Sequence, residues 1–343
     1  MRIVATTPST DYAELKRIIK AGGFLEPQTG YYIVKTIIAV ATLGLALGLA
    51  IQADAWWTMA LCGLFAGFAS TQVALLAHDV GHRQGFRGRR SNAIARVFFG
   101  NFVLGVSHSW WNTKHNQHHA TPNHIDKDPD VQFPMLAFSL EQVATRPRFW
   151  RPVIGIQAFV LLFLLPFQAV NMRMSSALHL REETARQPVL QGAVLACHLL
   201  VYIAVLVAIG WPLAIVFAVV HQATFGLYNS SVFASNHKGM PLLGEGERLD
   251  FLREQVLTSR NVKAHAFTDF WYGGLNYQIE HHLFPTMPRN RLRAAQPIIE
   301  QFCRERGISY HSTGLFESYR EVLAHLHEMG AEIRGRAAPS VAS

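Results

Sequence analysis

Seventeen of the 343 residues are histidine. Imidazole is the commonest metal-ligating side chain, so the spacing of these residues is informative. His78 and His82 form H-x-x-x-H, which on a helix puts both rings on one face. His115, His118 and His119 form H-x-x-H-H, and Gln278, His281 and His282 form Q-x-x-H-H. With His237 these make eight imidazoles, more than the four-coordinate sphere of one zinc accepts, so two metals fit better than one. Nitrogen-rich ligation without thiolate suits iron, copper or zinc. Cys62, Cys197 and Cys303 form no C-x-x-C pair, which argues against a cysteine zinc site, an iron–sulfur cluster or a disulfide framework. No set of Glu-x-x-His pairs of the soluble di-iron kind is present, and a histidine-rich di-iron centre remains. Beside the histidines, Gln278 and Asn236 are possible ligands or neighbours of ligands. Asp79 and Glu280 are possible ligands or neighbours of ligands, read either as carboxylates that orient imidazoles through their second N–H or as helix-surface charges. No catalytic group separate from the metal ligands is expected.

The elements that position these residues follow from composition. Half of the residues are hydrophobic and 16% are charged, which excludes a disordered or collagen-like chain. Residues 32–52, 55–77, 189–208 and 211–235 are nearly charge-free, each close to the ~20 residues a helix needs to cross a bilayer. They predict four spans. Residues 93–107 and 153–171 are read as interfacial or re-entrant. A full crossing by the second would carry Arg173, Arg181 and Arg186 outward, against the usual placement of basic loops. Lys16, Arg17 and Lys20 before the first span place the N-terminus in the cytoplasm, and the three clusters and His237 then fall on that side. Residues 286–331, with Leu292, Ile298, Ile299 and Phe302 and then Leu315, Tyr319, Val322, Leu323 and Leu326 at helical spacing, read as amphipathic cytoplasmic helices. Residues 332–343 read as a flexible tail, and no cleavable signal peptide is expected. The fold class is therefore an all-α integral membrane protein: a membrane core over 1–285 and a cytoplasmic helical cap over a histidine-rich di-metal site.

HDVGH at 78–82, HNQHH at 115–119 and QIEHH at 278–282 resemble the three histidine boxes of the membrane fatty acid desaturases, in order, spacing and position relative to the spans. Gln278 at the head of the last box, with Leu283, Phe284 and Pro285 after it, is similar to the acyl-lipid and front-end branch. The resemblance implies an O2-dependent enzyme with two non-haem Fe ions that introduces a cis double bond into a fatty acyl lipid or acyl thioester. It also implies ligand roles for His78, His82, His115, His118, His119, His281 and His282, with His237 as the extra histidine between the second and third boxes. Some relatives have histidine where Gln278 stands. Many front-end members carry a fused cytochrome b5 domain, but this chain has no His-Pro-Gly-Gly haem motif. A separate electron donor is therefore expected: a ferredoxin, cytochrome b5 or flavoprotein reductase.

Two other functions are weighed against this one. A di-iron hydroxylase or ketolase of a lipid or terpenoid uses the same scaffold and differs in product mass. A non-catalytic metal-binding or metal-transporting membrane protein would string its histidines along a path through the spans, whereas here they gather at one side. The net charge of +8 follows loops beside spans, so no nucleic-acid partner is expected. A bacterial plasma membrane is expected because no retention signal is visible. His108, His124 and His265 lie close to the boxes and are read as polar surface residues in preference to hydrogen-bond partners of the ligands. His179, His198, His311, His325 and His327 are read as structural, and His221 as too far along its helix to ligate. Asp126, Asp128 and Asp130 are read as a loop-stabilising turn, since the glycine and terminal Glu of a calcium loop are absent. Trp110, Trp111, Trp271, Tyr272, Phe98, Phe99, Phe267 and Phe270 are candidates for interfacial anchors or walls of an acyl tunnel.

Overall fold

Apolar runs with no polar side chain to bond their backbone must bond it internally, and within a bilayer this leaves the α-helix as the local solution. The computed structural model describes residues 10–86, 88–244 and 246–335, almost all of them helical or in short connections. Five helices are long and apolar enough to cross a membrane: Thr29–Gln52, Trp56–Gly81, Gln157–His179, Pro188–Ile209 and Leu213–His237. Four correspond to the expected spans, lengthened by a few residues. The additional one covers the 153–171 stretch. Pro166 interrupts it with a single 3-10 turn at Leu165–Phe167, after which the chain resumes as helix Gln168–His179. The break therefore kinks the segment without ending it. The other ambiguous stretch is a short helix, Arg89–Arg96, continued by a π-helical segment, Val97–Leu104, which ends where Gly105 takes φ +68°. At ~1.5 Å per residue these sixteen residues fall short of a ~30 Å hydrocarbon layer. The end of the proposed tail, 336–343, lies outside the described residues.

The chain forms two compact units interleaved in sequence. One comprises 26–114 and 164–231 and holds helices Thr29–Gln52, Trp56–Gly81 and Pro188–Ile209 whole, with most of Gln157–His179 and Leu213–His237. Its outward faces carry bare aliphatic side chains such as Ile37, Leu45, Leu61, Leu200 and Val207, a surface suited to lipid and not to water. With no hydrophobic drive between helices in lipid, close approach must come from small residues. Gly63 and Gly67, one turn apart, supply it. A Cβ on Gly67 would lie 2.6 Å from Thr224 Cβ and 2.9 Å from the backbone O of His221. The imidazole of His221 in turn lies 3.0 Å from Ser70 Oγ and 3.1 Å from the Tyr202 hydroxyl, so its two ring nitrogens are satisfied without a metal.

The other unit comprises the described residues of 1–25, 115–163 and 232–343. Its core packs Leu15 and Ile19 of helix Thr10–Ala21 with Leu252, Val256, Ile279, Leu283, Leu292, Ile299 and Phe302. Helices Arg289–Glu305 and Leu315–Ala331 are the two amphipathic helices read from the sequence, and the buried Leu292, Ile299, Phe302, Val322 and Leu326 are among the apolar positions that mark them. A parallel pair of two-residue strands, Asn261–Val262 with Ser312–Thr313, ties the Leu315–Ala331 segment to the chain before the third box.

The tight crossing at Gly67 generates a prediction. Gly67→Leu forces side-chain volume against the backbone of a neighbouring helix, an overpacking that costs about 1–3 kcal/mol. We expect a lower melting temperature and lower yield of monodisperse protein in detergent. Gly44→Leu, at a position with no atom within 4 Å of the added carbon, is expected to leave both unchanged.

Candidate metal centre

Helix Trp56–Gly81 runs on past the apolar stretch, so His78 lies inside its last turn and His82 is the residue that caps it. The two rings sit 4.8 Å apart, centroid to centroid. Trp111 meets both edge-on, at 5.5 Å from His78 and 5.9 Å from His82. This approach needs Gly81, because a Cβ there would overlap the Trp111 indole. Asp79 Oδ1 is 3.2 Å from His78 Nδ1, and the Tyr32 hydroxyl donates to Asp79 Oδ2 at 2.9 Å. Asp79 thus lies against the ring that the sequence pairs it with.

Helix His108–Ala120 carries the second cluster and helix Gln278–Leu283 the third. Within their unit, the His118, His237 and His282 ligand atoms lie within 4.8 Å of one another, and all three rings are buried. The outer nitrogen of each meets an oxygen. His118 Nδ1 donates to Asp128 Oδ2 at 2.9 Å, His237 Nδ1 to the Thr258 carbonyl at 3.0 Å and His282 Nδ1 to Gln255 Oε1 at 2.8 Å. An acceptor at Nδ1 puts the proton there and leaves a lone pair on Nε2. The Nε2 atoms of His118 and His237 then face each other at 3.2 Å with no proton of their own to share. His282 Nε2 is buried and has no hydrogen-bond partner among the described residues. Lone pairs turned toward one point, with every outer N–H anchored, are the donor set of a cation site whose ligands are oriented from behind. The residues present fit a metal.

Burial, reinforced by the neighbouring His119, His237, His118 and His281, holds the His282 ring neutral well below the usual imidazole range. Neutral imidazole is the form that ligates. Burial pushes the Asp128 carboxyl up, yet the His118 hydrogen bond and charge hold it below the usual carboxylate range. It therefore stays an acceptor for the ring. A second convergence lies beside the first: His119 Nε2 is 3.1 Å from His115 Nε2 and 3.1 Å from His281 Nε2, and the His119 ring stacks on His282 with centroids 4.1 Å apart.

Gln278 and Asn236 are joined. Asn236 Nδ2 donates to Gln278 Oε1 at 2.9 Å and to the Leu275 carbonyl at 3.1 Å. That turns the Gln278 amide nitrogen toward His237 Nε2, 2.9 Å away, so the glutamine oxygen is engaged away from the imidazoles. Glu280, expected to orient a ring, instead accepts from Asn261 Nδ2 at 2.7 Å and from the Tyr310 hydroxyl at 2.6 Å. Its carboxylate is fully buried, and burial raises it to about 7 although both hydrogen bonds act the other way. A helix turns successive residues to different sides, so a carboxylate directly before two inward histidines points elsewhere.

Other residues were read differently from the sequence. Asp128 does stabilise its turn, accepting from the Asp130 backbone N–H at Oδ1 and the Asn123 backbone N–H at Oδ2, and Oδ2 also serves His118. Its position ten residues beyond His118 carries no helical signal. Asn123, in the left-handed region at φ +57°, donates to the His237 carbonyl at 3.0 Å. Gln255 has no sequence mark at all. His124 is buried, not superficial, while His265 is exposed and caps helix Ala266–Trp271. Among the aromatic candidates, Tyr272 and Phe99 are core residues, whereas Phe98, Phe267 and Phe270 are exposed.

Apolar helices and converging imidazoles define a helical membrane protein with a candidate metal site. Comparison with known proteins narrows the class: a family model described as fatty acid desaturase matches residues 54–314. The Delta(6)-fatty-acid desaturase fat-3 of Caenorhabditis elegans is 30% identical over 342 residues, covering 95% of this chain and 76% of that protein. The acyl-lipid (9-3)-desaturase of Physcomitrium patens is 29% identical over 339 residues, covering 93% of this chain and 62% of that protein. The Delta(5) fatty acid desaturase fat-4 of Caenorhabditis elegans is 27% identical, covering 90% and 71%. The chain belongs to the fatty acid desaturase family. It is an oxidoreductase of lipid metabolism. The bacterial membrane expected from the sequence gains no support from these nematode and moss relatives.

Two measurements check this geometry. Asp128→Asn leaves the shape but weakens the acceptor behind His118, and loss of such a partner typically costs about 10- to 100-fold in metal affinity. Titration of the detergent-purified protein with Co(II) would show it. For Glu280, the folded-state value near 7 lies above the ordinary 4.5. Its contribution is therefore fully present below about pH 4.5 and lost as pH rises through about 7. The melting temperature of metal-free Glu280→Gln, relative to the parent, is expected to rise across that window.

Proposed function

We propose that this desaturase introduces a cis double bond into the acyl chain of a lipid or acyl thioester, with two non-haem irons held by His78, His82, His115, His118, His119, His237, His281 and His282. The observation that carries the reading is the convergence of the His118, His237 and His282 Nε2 atoms with each Nδ1 tied to an oxygen. Bound there, two irons supply the one-electron chemistry by which O2 is reduced to water while two hydrogens leave adjacent methylenes. Two further electrons, with two protons, come from a separate donor: a ferredoxin, cytochrome b5 or flavoprotein reductase.

The chain's own task is to hold the imidazoles neutral and oriented, to bar water from the buried rings and to fix which methylenes approach. Methylenes along an acyl chain are chemically alike, so position alone selects among them. Three readings go with this proposal. Four helices cross the membrane, and Gln157–His179 lies at the interface so that Arg173, Arg181 and Arg186 stay on the side of Lys16, Arg17 and Lys20. Residues 1–285 form the membrane core and 286–331 a cytoplasmic cap. The metal centre faces the cytoplasm.

The test is gas chromatography with mass spectrometry of fatty acid methyl esters from a host expressing the intact chain, its electron donor and candidate substrate lipids. His118→Ala is expressed beside it. A product two hydrogens lighter is expected with the intact chain alone, and the variant is expected to reach the membrane in equal amount with activity lowered below detection. Product formation by His118→Ala would overturn the ligand assignment. A product heavier by one oxygen would move the reading to a hydroxylase.

A further inference from the structure

The carbonyls at the end of a helix need donors from outside it, and a helix that ends in a metal ligand needs them to be rigid. Helix Leu213–His237 ends on His237. Its final carbonyls are met by two residues from distant parts of the chain. Arg260 NH1 donates to the Ser235 carbonyl at 2.7 Å, its backbone N–H to Asn236 O at 2.8 Å and its NH2 to Lys238 O at 3.0 Å. At the His237 carbonyl, Asn123 Nδ2 joins the Met240 backbone N–H, each at 3.0 Å. The guanidinium is wholly buried, and its Nε lies 2.8 Å from Glu321 Oε2 on helix Leu315–Ala331. Gly239, at φ +83°, leaves the room, since a Cβ there would stand 3.3 Å from Arg260 NH2 and 3.2 Å from the Glu321 carbonyl. Two residues before Arg260, the Thr258 carbonyl accepts from the His237 ring. One short segment, 258–260, therefore holds both the backbone and the imidazole of His237.

We propose that Arg260, paired with Glu321, is a positioning residue for the metal held by His237, and that helix Leu315–Ala331 thereby sets the geometry of the centre. A planar guanidinium spans two carbonyls in a fixed fork, which neither a lysine nor a neutral side chain reproduces. Glu321 compensates its charge. Without that carboxylate the buried cation loses its counter-ion and is drawn toward water. The inference rests on the reading of His237 as a ligand.

The experiment uses the full-length protein purified in detergent, loaded with Fe(II) or Co(II). Iron per chain, the Co(II) dissociation constants, the Co(II) absorption spectrum and the melting temperature are read for the parent, Glu321→Gln, Arg260→Lys, the double variant Arg260→Met with Glu321→Leu, and His237→Ala. His237→Ala is the control: full metal content and an unchanged spectrum there would overturn the ligand reading itself. If His237→Ala loses metal, the expectation is a weaker Co(II) site by about 10- to 100-fold and an altered spectrum in Glu321→Gln and Arg260→Lys, with a lowered melting temperature in Glu321→Gln, which leaves the buried cation unpaired. The apolar double variant removes the buried charges together, an exchange cores tolerate, so it is expected to stay folded while losing the same site. Parent-like affinity and spectrum in these variants would overturn the positioning role. So would loss of metal confined to the destabilised Glu321→Gln, with a parent-like site in the apolar double variant.

Discussion

Imidazole nitrogens brought together with their lone pairs facing repel one another unless a cation stands between them, and the polar architecture around His118, His237 and His282 answers that constraint. A ring free to rotate would turn its N–H inward and hydrogen-bond to its neighbour. Three different oxygens, from Asp128, Thr258 and Gln255, prevent this by taking the Nδ1 proton. Each of those oxygens is itself fixed: Asp128 by the backbone N–H groups of Asn123 and Asp130, Gln255 through its amide donation to the His119 carbonyl, and the Thr258 peptide by lying two residues from the buried Arg260. The local fold of this unit is thus organised outward from three rings and the oxygens that orient them.

The apolar unit meets the opposite requirement. Its helices present aliphatic side chains outward and bury small residues between themselves, because lipid offers no hydrophobic reward for association and close backbone contact must supply it. Buried polar side chains inside it bond to one another, as with His221 between Ser70 and Tyr202. The histidines of the first cluster escape this economy by standing at the end of a helix, where the Trp56–Gly81 segment leaves its apolar stretch and Gly81 lets Trp111 close over both rings.

Much of this was legible in the linear chain. The apolar runs announced the long helices, since a run without charge has few alternatives in a bilayer. The amphipathic spacing announced Arg289–Glu305 and Leu315–Ala331, and the i, i+3 and i+4 spacing announced which histidines share a face. The Gln157–His179 segment was harder, because a proline at its middle lowers local helical character while the residues on either side remain helical. Local pattern cannot tell a kink from an end.

What the sequence by itself determined is therefore the set of ligand-bearing nitrogens and the helices that carry them, because both depend on periodicities of three to four residues or on plain apolar length. Tertiary structure alone decided the groups behind those nitrogens. Asp128 read as a turn residue, Glu280 as a ring partner, and Gln255, Asn123 and Arg260 carried no signal, since hydrogen bonds between residues from ten to more than a hundred positions apart follow no helical or strand period. Glu280 shows the reason most clearly. Its place in the QIEHH run suggested the histidines, but one residue of helical rotation, about 100°, gave its carboxylate to Asn261 and Tyr310 instead.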